Sequence, residues 1–234
     1  MKGMFFLQIA QEAAEVGIEE NYKEVSLWSV VGDATSDVMG MLIMIVLTIM
    51  SFYAIYVFVE RLLALKRSSQ ADPNFLSQIK DLLSEGKIDD AKKLCVSTES
   101  PSARMLEKGI SRLGKPVDIV ASTIESTAKL EISRLEQRLS FLATAAGAAP
   151  MIGFLGTTIG MVKTFNAMKN LDSLDLGTIA PGIMTAMVTT VAGLIVGIIA
   201  YMGYNYLVSK ISKVVYRMEI DAMEFMDLLH KPAK

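Results

Sequence analysis

The chain has 234 residues, 52% of them hydrophobic, a formal net charge of −2 and a mean hydropathy of +0.40. This balance is too apolar for one soluble domain and too polar for a chain lying entirely in lipid, so it indicates a few membrane spans with a water-facing part. The slightly acidic charge gives no reason to expect nucleic acid as a partner. A single cysteine, Cys95, excludes an internal disulfide, and the single histidine, His230, makes histidine-based catalysis or a metal site unexpected.

The first 37 residues are predicted to form an outward-facing N-terminal segment. Their apolar run, Met4–Ala10, is short for a signal-peptide core, so we expect a surface-lying or mobile segment. The segment carries seven acidic residues but only two basic ones, Lys2 and Lys23. Such a paucity of lysine and arginine is typical of the non-cytoplasmic side of a membrane.

Three apolar stretches are each long enough to cross about 30 Å of hydrocarbon as a helix: residues 38–59, 141–162 and 178–208. None of the three contains a charged residue or a histidine. Fourteen basic residues lie between the first two spans, so the positive-inside rule predicts an N-out/C-in topology. The remaining segments are then a cytoplasmic helical domain, a short outward (periplasmic) turn and a cytoplasmic C-terminal helix, at residues 60–140, 163–177 and 209–234.

Helical patterning continues outside the spans. The stretch FLSQIKDLLSEGKIDDAKKLC has a helix–turn–helix pattern that is interrupted at Gly86. No helix breaker follows Val117 until the second span, so one helix is predicted from Val117 to Asn166, bending at Pro150. The third span is predicted to continue towards the C-terminus. The expected fold is therefore an all-α membrane protein whose long second and third transmembrane helices extend into a helical cytoplasmic domain.

Small residues follow a regular spacing in the last two spans. Gly156 and Gly160 form one G-x-x-x-G pair, with Gly153 on a neighbouring face, and Gly193 and Gly197 form another. Glycines at this spacing let helix backbones approach closely in lipid. General helix packing is the simpler interpretation, because such motifs also arise often by chance.

Threonines accompany these glycines, among them Thr157, Thr185 and Thr190. Each hydroxyl could bond back to its own helix, which would explain about half of them without any function. The alternative hypothesis is that Thr157 and Thr190 face a thin polar path through the membrane. Hydroxyls can ligate or relay an ion, but they cannot carry a proton by ionising. Because the spans lack ionisable residues, a transported proton would need a titrating group from another chain.

Two motifs carry a family resemblance. GFLGTTIGM, Gly153–Met161, closely resembles the G-L-x-G-T-x-x-G-M signature of the MotA/TolQ/ExbB family of ion-driven motor subunits. APGIMTAMVTTVAGL, Ala180–Leu194, is similar to the third-helix motif of that family. Three spans and this length are most like the ExbB and TolQ branches, and the outward N-terminal segment favours ExbB.

The resemblance implies a function, which is expected to be non-enzymatic and to need no cofactor. Five such subunits would surround the spanning helices of two copies of an ExbD-like single-span protein, whose membrane aspartate carries the ion. Ion flow would turn the inner pair and pass energy from the proton motive force to a TonB-like protein, for outer-membrane uptake, from the inner membrane. The resemblance assigns Thr157 and Thr190 to the partner-facing ion path, and Pro150 and Pro181 to the shape of the helices.

Thr185 departs from the family pattern, which commonly has glutamate at this position. A threonine supplies only ligating oxygens there, so sodium becomes an alternative to the proton. Two other functions also stay open. One is a TolQ-like subunit that serves envelope constriction. The other is a non-conducting membrane scaffold whose glycine faces only build an oligomer. An enzyme is the least expected class, because no nucleophile, P-loop or paired-carboxylate motif is present.

Overall fold

A computed structural model describes residues 38–68, 74–169 and 176–230, with the side chains of 176–178, 181 and 230 left out. These residues form helices and no strand, as predicted. The predicted N-terminal segment 1–37 lies outside the described residues, as do residues 170–175 of the turn predicted at 163–177. The helices are α1 (Val38–Ser68), α2 (Phe75–Ser84), α3 (Ile88–Ser97), α4 (Pro101–Ile110), α5 (Val117–Glu136), α6 (Leu139–Met168) and α7 (Leu176–His230).

Three of these helices are long and apolar enough to cross a membrane: α1, α6 and α7. They pack side by side, while large side chains such as Phe52, Phe154 and Ile198 remain exposed on their outer faces. Apolar side chains on an outer face cost nothing in lipid, because lipid tails are apolar too. The backbone polar groups need no water there, because each helix satisfies its own hydrogen bonds. The prediction of three spanning helices is confirmed, whereas the orientation and the segment boundaries stay predictions.

The short helices α2 to α5 pack around the C-terminal part of α7, and together these elements are called the helical domain below. Its core contains buried side chains from every one of these helices, including Ile79, Cys95, Leu106, Ile124 and Phe225. The predicted helix–turn–helix is confirmed. The turn between α2 and α3 contains Gly86, whose φ of +75° favours a residue without a Cβ.

Helix α4 begins where the sequence supplies an N-cap. The Ser100 hydroxyl accepts a hydrogen bond from the Ala103 amide at 3.1 Å, which satisfies one of the free N–H groups of the first turn. Pro101 follows at the first helical position, where its missing N–H costs nothing. Local sequence therefore determines this boundary.

The prediction of one unbroken helix from Val117 to Asn166 is wrong. The chain leaves helical geometry at Gln137, and Arg138 has a φ of +66°, so α5 ends at Glu136 and α6 begins at Leu139. A left-handed residue that carries a side chain costs roughly 1–2 kcal/mol. The Arg138 guanidinium offsets part of that cost by an ion pair with Glu60 of α1 at 2.5 Å.

The long third helix is as predicted. Helix α7 runs unbroken for 55 residues, roughly 80 Å at 1.5 Å per residue. Its N-terminal part packs on α6, its middle packs on α1 through Leu207 and Ile211, and its C-terminal part enters the helical domain through Met218 and Phe225. One rigid element therefore connects the apolar helices to the helical domain.

Candidate functional site

The contact surface between α6 and α7, called the seam below, consists of backbone and small side chains. A Cβ atom on Gly193 would lie 2.5 Å from the Ala149 carbonyl oxygen and 2.9 Å from Gly153 Cα. A Cβ atom on Gly153 would lie 2.7 Å from the Thr189 carbonyl oxygen. Because these neighbours are backbone atoms, they cannot move aside as a flexible side chain can. The two helices approach this closely only because glycine occupies both positions.

The other three predicted glycines also face the seam. A Cβ atom on Gly156 would meet Thr189, and one on Gly160 would lie 2.6 Å from Ala186 Cβ. On Gly197 it would lie 2.7 Å from Cγ of Pro150, the proline inside α6. Both glycine pairs therefore pack within one chain.

Two hydroxyls meet across the seam. Thr157 Oγ1 of α6 and Thr190 Oγ1 of α7 are in direct hydrogen-bonding contact, with one hydrogen between them. The Thr157 hydroxyl also lies 3.1 Å from the carbonyl oxygen of Ala186, and the Thr190 hydroxyl lies 3.1 Å from that of Gly153. The structure thus brings together the two threonines that the resemblance assigned to an ion path. Both side chains are half-buried, so they keep one side open to whatever covers this face.

A third hydroxyl, that of Thr189, belongs to the same group, although the sequence motifs assigned it no role. Its side chain is 2% exposed and lies against Gly156. Its Oγ1 lies 2.8 Å from the Ala186 carbonyl oxygen and 3.3 Å from that of Gly153. Three hydroxyls therefore share two carbonyl oxygens. A helical wheel could have found Thr189, because it precedes Gly193 by four residues and shares its face.

The remaining predicted residues lie apart from this group. Thr185 is half-buried one turn before Thr189, and neither Thr157 nor Thr190 bonds to it. Pro181 lies near the start of α7, and its side chain is outside the described residues. Simple back-bonding explains Thr144 and Thr158, whose hydroxyls donate to the carbonyls of Ser140 and Leu155 in their own helix.

The seam carries dipoles but no formal charge. The predicted spans contain no Asp, Glu, His, Lys or Arg, and the nearest charged residue along α6 is Lys163, six positions after Thr157. Among the described residues, no group of three or more His, Cys, Asp or Glu side chains is placed to hold a metal ion. The chemistry available at this site is thus hydrogen bonding and ion ligation by neutral oxygens.

Charged side chains gather instead beyond the apolar helices. Glu131 of α5 is 2% exposed and accepts bonds from Arg104 at 2.6 and 2.8 Å and from Arg134 at 2.6 Å. Arg61 of α1 donates to the Arg134 carbonyl at 3.3 Å. These contacts hold the junction between the helical domain and the apolar helices. They do not extend into the seam.

Comparison with known proteins agrees with the resemblance seen in the motifs. The sequence model of the MotA/TolQ/ExbB proton channel family matches residues 97–220, more than half of the chain. That match contains α4 to α6 and most of α7, and thus all the seam residues described above.

Individual proteins of two kinds are similar to the chain. The Tol-Pal system protein TolQ of Haemophilus influenzae is 39% identical over 105 residues, 44% of this chain and 45% of that protein. TolQ of Pseudomonas aeruginosa is 32% identical over 132 residues, 53% and 57% of the two chains. The biopolymer transport protein ExbB of Aquifex aeolicus is 35% identical over 106 residues, 45% and 71%. The chain spans about half of the length of the TolQ relatives that it matches.

Proposed function

We propose that this chain, which belongs to the MotA/TolQ/ExbB proton channel family, is the ion-conducting ring subunit of an ExbB-like motor in the inner membrane. The motor would convert the proton motive force into work for outer-membrane uptake. The observation that carries the proposal is the contact between Thr157 and Thr190 on two membrane-length helices whose predicted spans contain no Asp, Glu, His, Lys or Arg. A pair of neutral hydroxyls of this kind can line an ion path.

The proposal requires a partner that supplies the titrating group. Neutral hydroxyls can ligate an ion or accept a hydrogen bond, but they do not bind a transported proton at physiological pH. A carboxyl in the membrane is the usual carrier, and it would come from an ExbD-like single-span protein whose aspartate faces Thr157 and Thr190. A TonB-like protein would receive the work.

Exposed apolar side chains support an assembly of several copies. Helices α6 and α7 expose Phe154, Val162, Val191 and Ile198 beside the seam, and lipid and neighbouring subunits are both suitable cover for them. We propose a homo-oligomer, with the pentamer of the family as the expected state. The scaffold alternative is weakened, because the glycines that it needed for oligomer contacts face each other within one chain.

A TolQ-like role in envelope constriction is the second candidate. The similarity to the two TolQ proteins supports it, and the seam would operate in the same way in either role. The two candidates differ in the partner that receives the work. Identification of the proteins that copurify with the chain would therefore distinguish them.

The proposal is tested by Thr157→Val, which keeps the shape of the side chain but removes its hydroxyl. We expect proton flux to fall at least about tenfold, since a hydrogen bond to a charged group contributes about 1.5–3 kcal/mol. The measurement is dye-reported flux into liposomes that contain the complex purified from its own membrane. Native mass spectrometry of the same sample checks that the oligomer and its single-span partner are retained.

Thr158→Val is the matched control. It removes the neighbouring hydroxyl, which is exposed and bonds only to its own helix, so flux should stay within about twofold of the wild type. Wild-type flux in Thr157→Val, with assembly intact, would refute the ion-path role of this residue. An oligomer that never retains an acidic membrane partner would favour the scaffold.

A further inference from the structure

We propose that Thr189 is a positioning residue that orients the Thr157–Thr190 hydroxyl pair, so that Thr157 presents its free electron pairs to the ion-carrying group. The inference rests on the proposed function. It concerns a residue that is itself too buried to touch an ion or a partner, with 2% of its surface exposed. Thr189 can act only through the atoms around it.

The three hydroxyls have more hydrogens to donate than the two carbonyls can accept. In an α-helix the Gly153 carbonyl already accepts the Thr157 amide, and the Ala186 carbonyl accepts the Thr190 amide. Each carbonyl oxygen then has one lone pair left for a side chain. Three hydroxyl hydrogens, those of Thr157, Thr189 and Thr190, compete for these two lone pairs. The third hydrogen must lie in the contact between Thr157 and Thr190.

Distance decides which carbonyl accepts the Thr189 hydroxyl. This hydroxyl is 2.8 Å from the Ala186 oxygen, a normal hydrogen bond, but 3.3 Å from the Gly153 oxygen. Thr189 therefore donates to Ala186. The Gly153 oxygen is left for Thr190 at 3.1 Å, because Thr157 is 3.5 Å from it. The hydrogen of Thr157 must then point at Thr190.

The resulting chain of bonds has a direction. Thr157 donates to Thr190, and Thr190 donates to the Gly153 carbonyl, so both lone pairs of Thr157 remain unused. The reverse direction would need Thr157 to donate to Ala186 at 3.1 Å, and that requires Thr189 to retreat to the longer bond. A ligand that seeks electron pairs fits Thr157 in the first arrangement. Such ligands are the O–H of a protonated carboxyl group and a partly dehydrated cation.

Loss of the Thr189 hydroxyl removes this preference. Without it, Thr157 can donate to Ala186 at 3.1 Å as readily as Thr190 donates to Gly153 at 3.1 Å. The two directions of the pair become nearly equal. The role of electron-pair donor is then divided between Thr157 and Thr190, instead of belonging to Thr157.

The experiment compares Thr157→Val with Thr190→Val in two backgrounds, the natural chain and Thr189→Val, by flux into liposomes containing the complex from its own membrane. In the natural chain we expect Thr157→Val to lower flux about fivefold more than Thr190→Val does. A factor of about five corresponds to the net free energy of one ordinary hydrogen bond, about 1 kcal/mol. In the Thr189→Val background this ratio should fall to about one. Thr189→Ser, which retains the hydroxyl, should restore it.

A merely structural role for Thr189 would lower flux in all variants alike and leave the ratio unchanged, which would overturn the inference. That outcome is distinct from failure of the proposed function, in which Thr157→Val would itself conduct normally. Normal conduction in Thr157→Val would overturn the proposed function and this inference together.

Discussion

In the seam the closest neighbours across the two helices are backbone atoms, whereas in the helical domain they are large side chains. Gly153 and Gly193 approach each other where any Cβ would collide with the opposite backbone. In the helical domain Met105, Ile124 and Phe225 interlock instead around a shared centre. The backbone contacts of the seam suit lipid, where burial of apolar area does not drive helices together. The large side chains of the helical domain suit water, where burial of apolar area provides most of the driving force for packing.

The two regions also treat polar groups differently. In the seam the polar groups are neutral hydroxyls bonded to carbonyls, and no formal charge is present. At the edge of the helical domain a buried carboxylate, Glu131, is held by Arg104 and Arg134. Neutral hydroxyls are weak, exchangeable ligands, which suits the ion path proposed for the seam. Charged hydrogen bonds have a more fixed geometry, which suits a junction between two parts of the molecule.

The largest expected effect is that of Gly193→Ala in the seam. Its new Cβ meets two backbone neighbours, so α6 and α7 must separate, and we expect a loss of about 3 kcal/mol, at the upper end for overpacking. Thermal unfolding in detergent measures it. Gly147→Ala on α6 is the control, because nothing lies within 4 Å of its new Cβ. That variant should be neutral or more stable by up to about 1 kcal/mol. Equal losses in both variants would mean that the close approach is not what the glycine provides.

A second expected effect separates the two partners of the buried ion pair. Arg104→Ala leaves the nearly inaccessible Glu131 with one arginine, and we expect a cost of about 2–3 kcal/mol. Glu131→Leu should cost about 1 kcal/mol or less, since Arg104 and Arg134 are partly exposed and can turn towards water. Chemical denaturation of both variants gives the comparison. The opposite order would contradict the burial of this carboxylate.

The break between α5 and α6 is expected to show a smaller effect. Both Arg138→Gly and Arg138→Ala lose the ion pair with Glu60, but only glycine adopts the φ of +66° without strain. The glycine variant should therefore be more stable than the alanine variant by about 1 kcal/mol. Thermal unfolding of the pair measures the difference. Greater stability of the alanine variant would indicate a continuous helix, as the sequence pattern suggested.

The smallest effect concerns the single cysteine. Burial, with a further contribution from Glu107, raises the pKa of the Cys95 thiol to about 12. A folded-state pKa above the unfolded value of about 8.5 means that stability is complete below pH 8.5 and falls as pH rises towards 12. Between pH 7 and pH 9 we expect a loss of about 0.8 kcal/mol that Cys95→Ala does not show. Identical pH slopes for the two proteins, by chemical denaturation, would mean that the thiol is not shielded from water.

Much of the fold could be predicted from the sequence because its signals are local or periodic. Charge-free apolar runs predicted α1, α6 and α7, and Gly86 predicted the turn between α2 and α3. The break at Arg138 could not be predicted, because no glycine or proline marks it. The side chain at this break pairs with Glu60, which lies 78 residues away in the sequence.

The candidate site was predictable in part. Motif spacing identified Thr157 and Thr190 from resemblance, and the structure brings their hydroxyls together. The part played by Thr189 was not predictable from spacing alone. Whether a threonine bonds to its own helix or shares carbonyls with a neighbour depends on the distance between two helices, which one sequence does not specify.

The sequence by itself determined which helices are apolar, where glycines permit close approach, and that no span carries a charged residue or a histidine. These properties follow from residue type and period, which act within a few turns of one helix. Only the tertiary structure decided where α5 ends, which face of α6 meets α7, and which carbonyl each hydroxyl reaches. Those properties are set by contacts between residues far apart in the chain, where differences of a few tenths of an ångström decide which hydrogen bond forms.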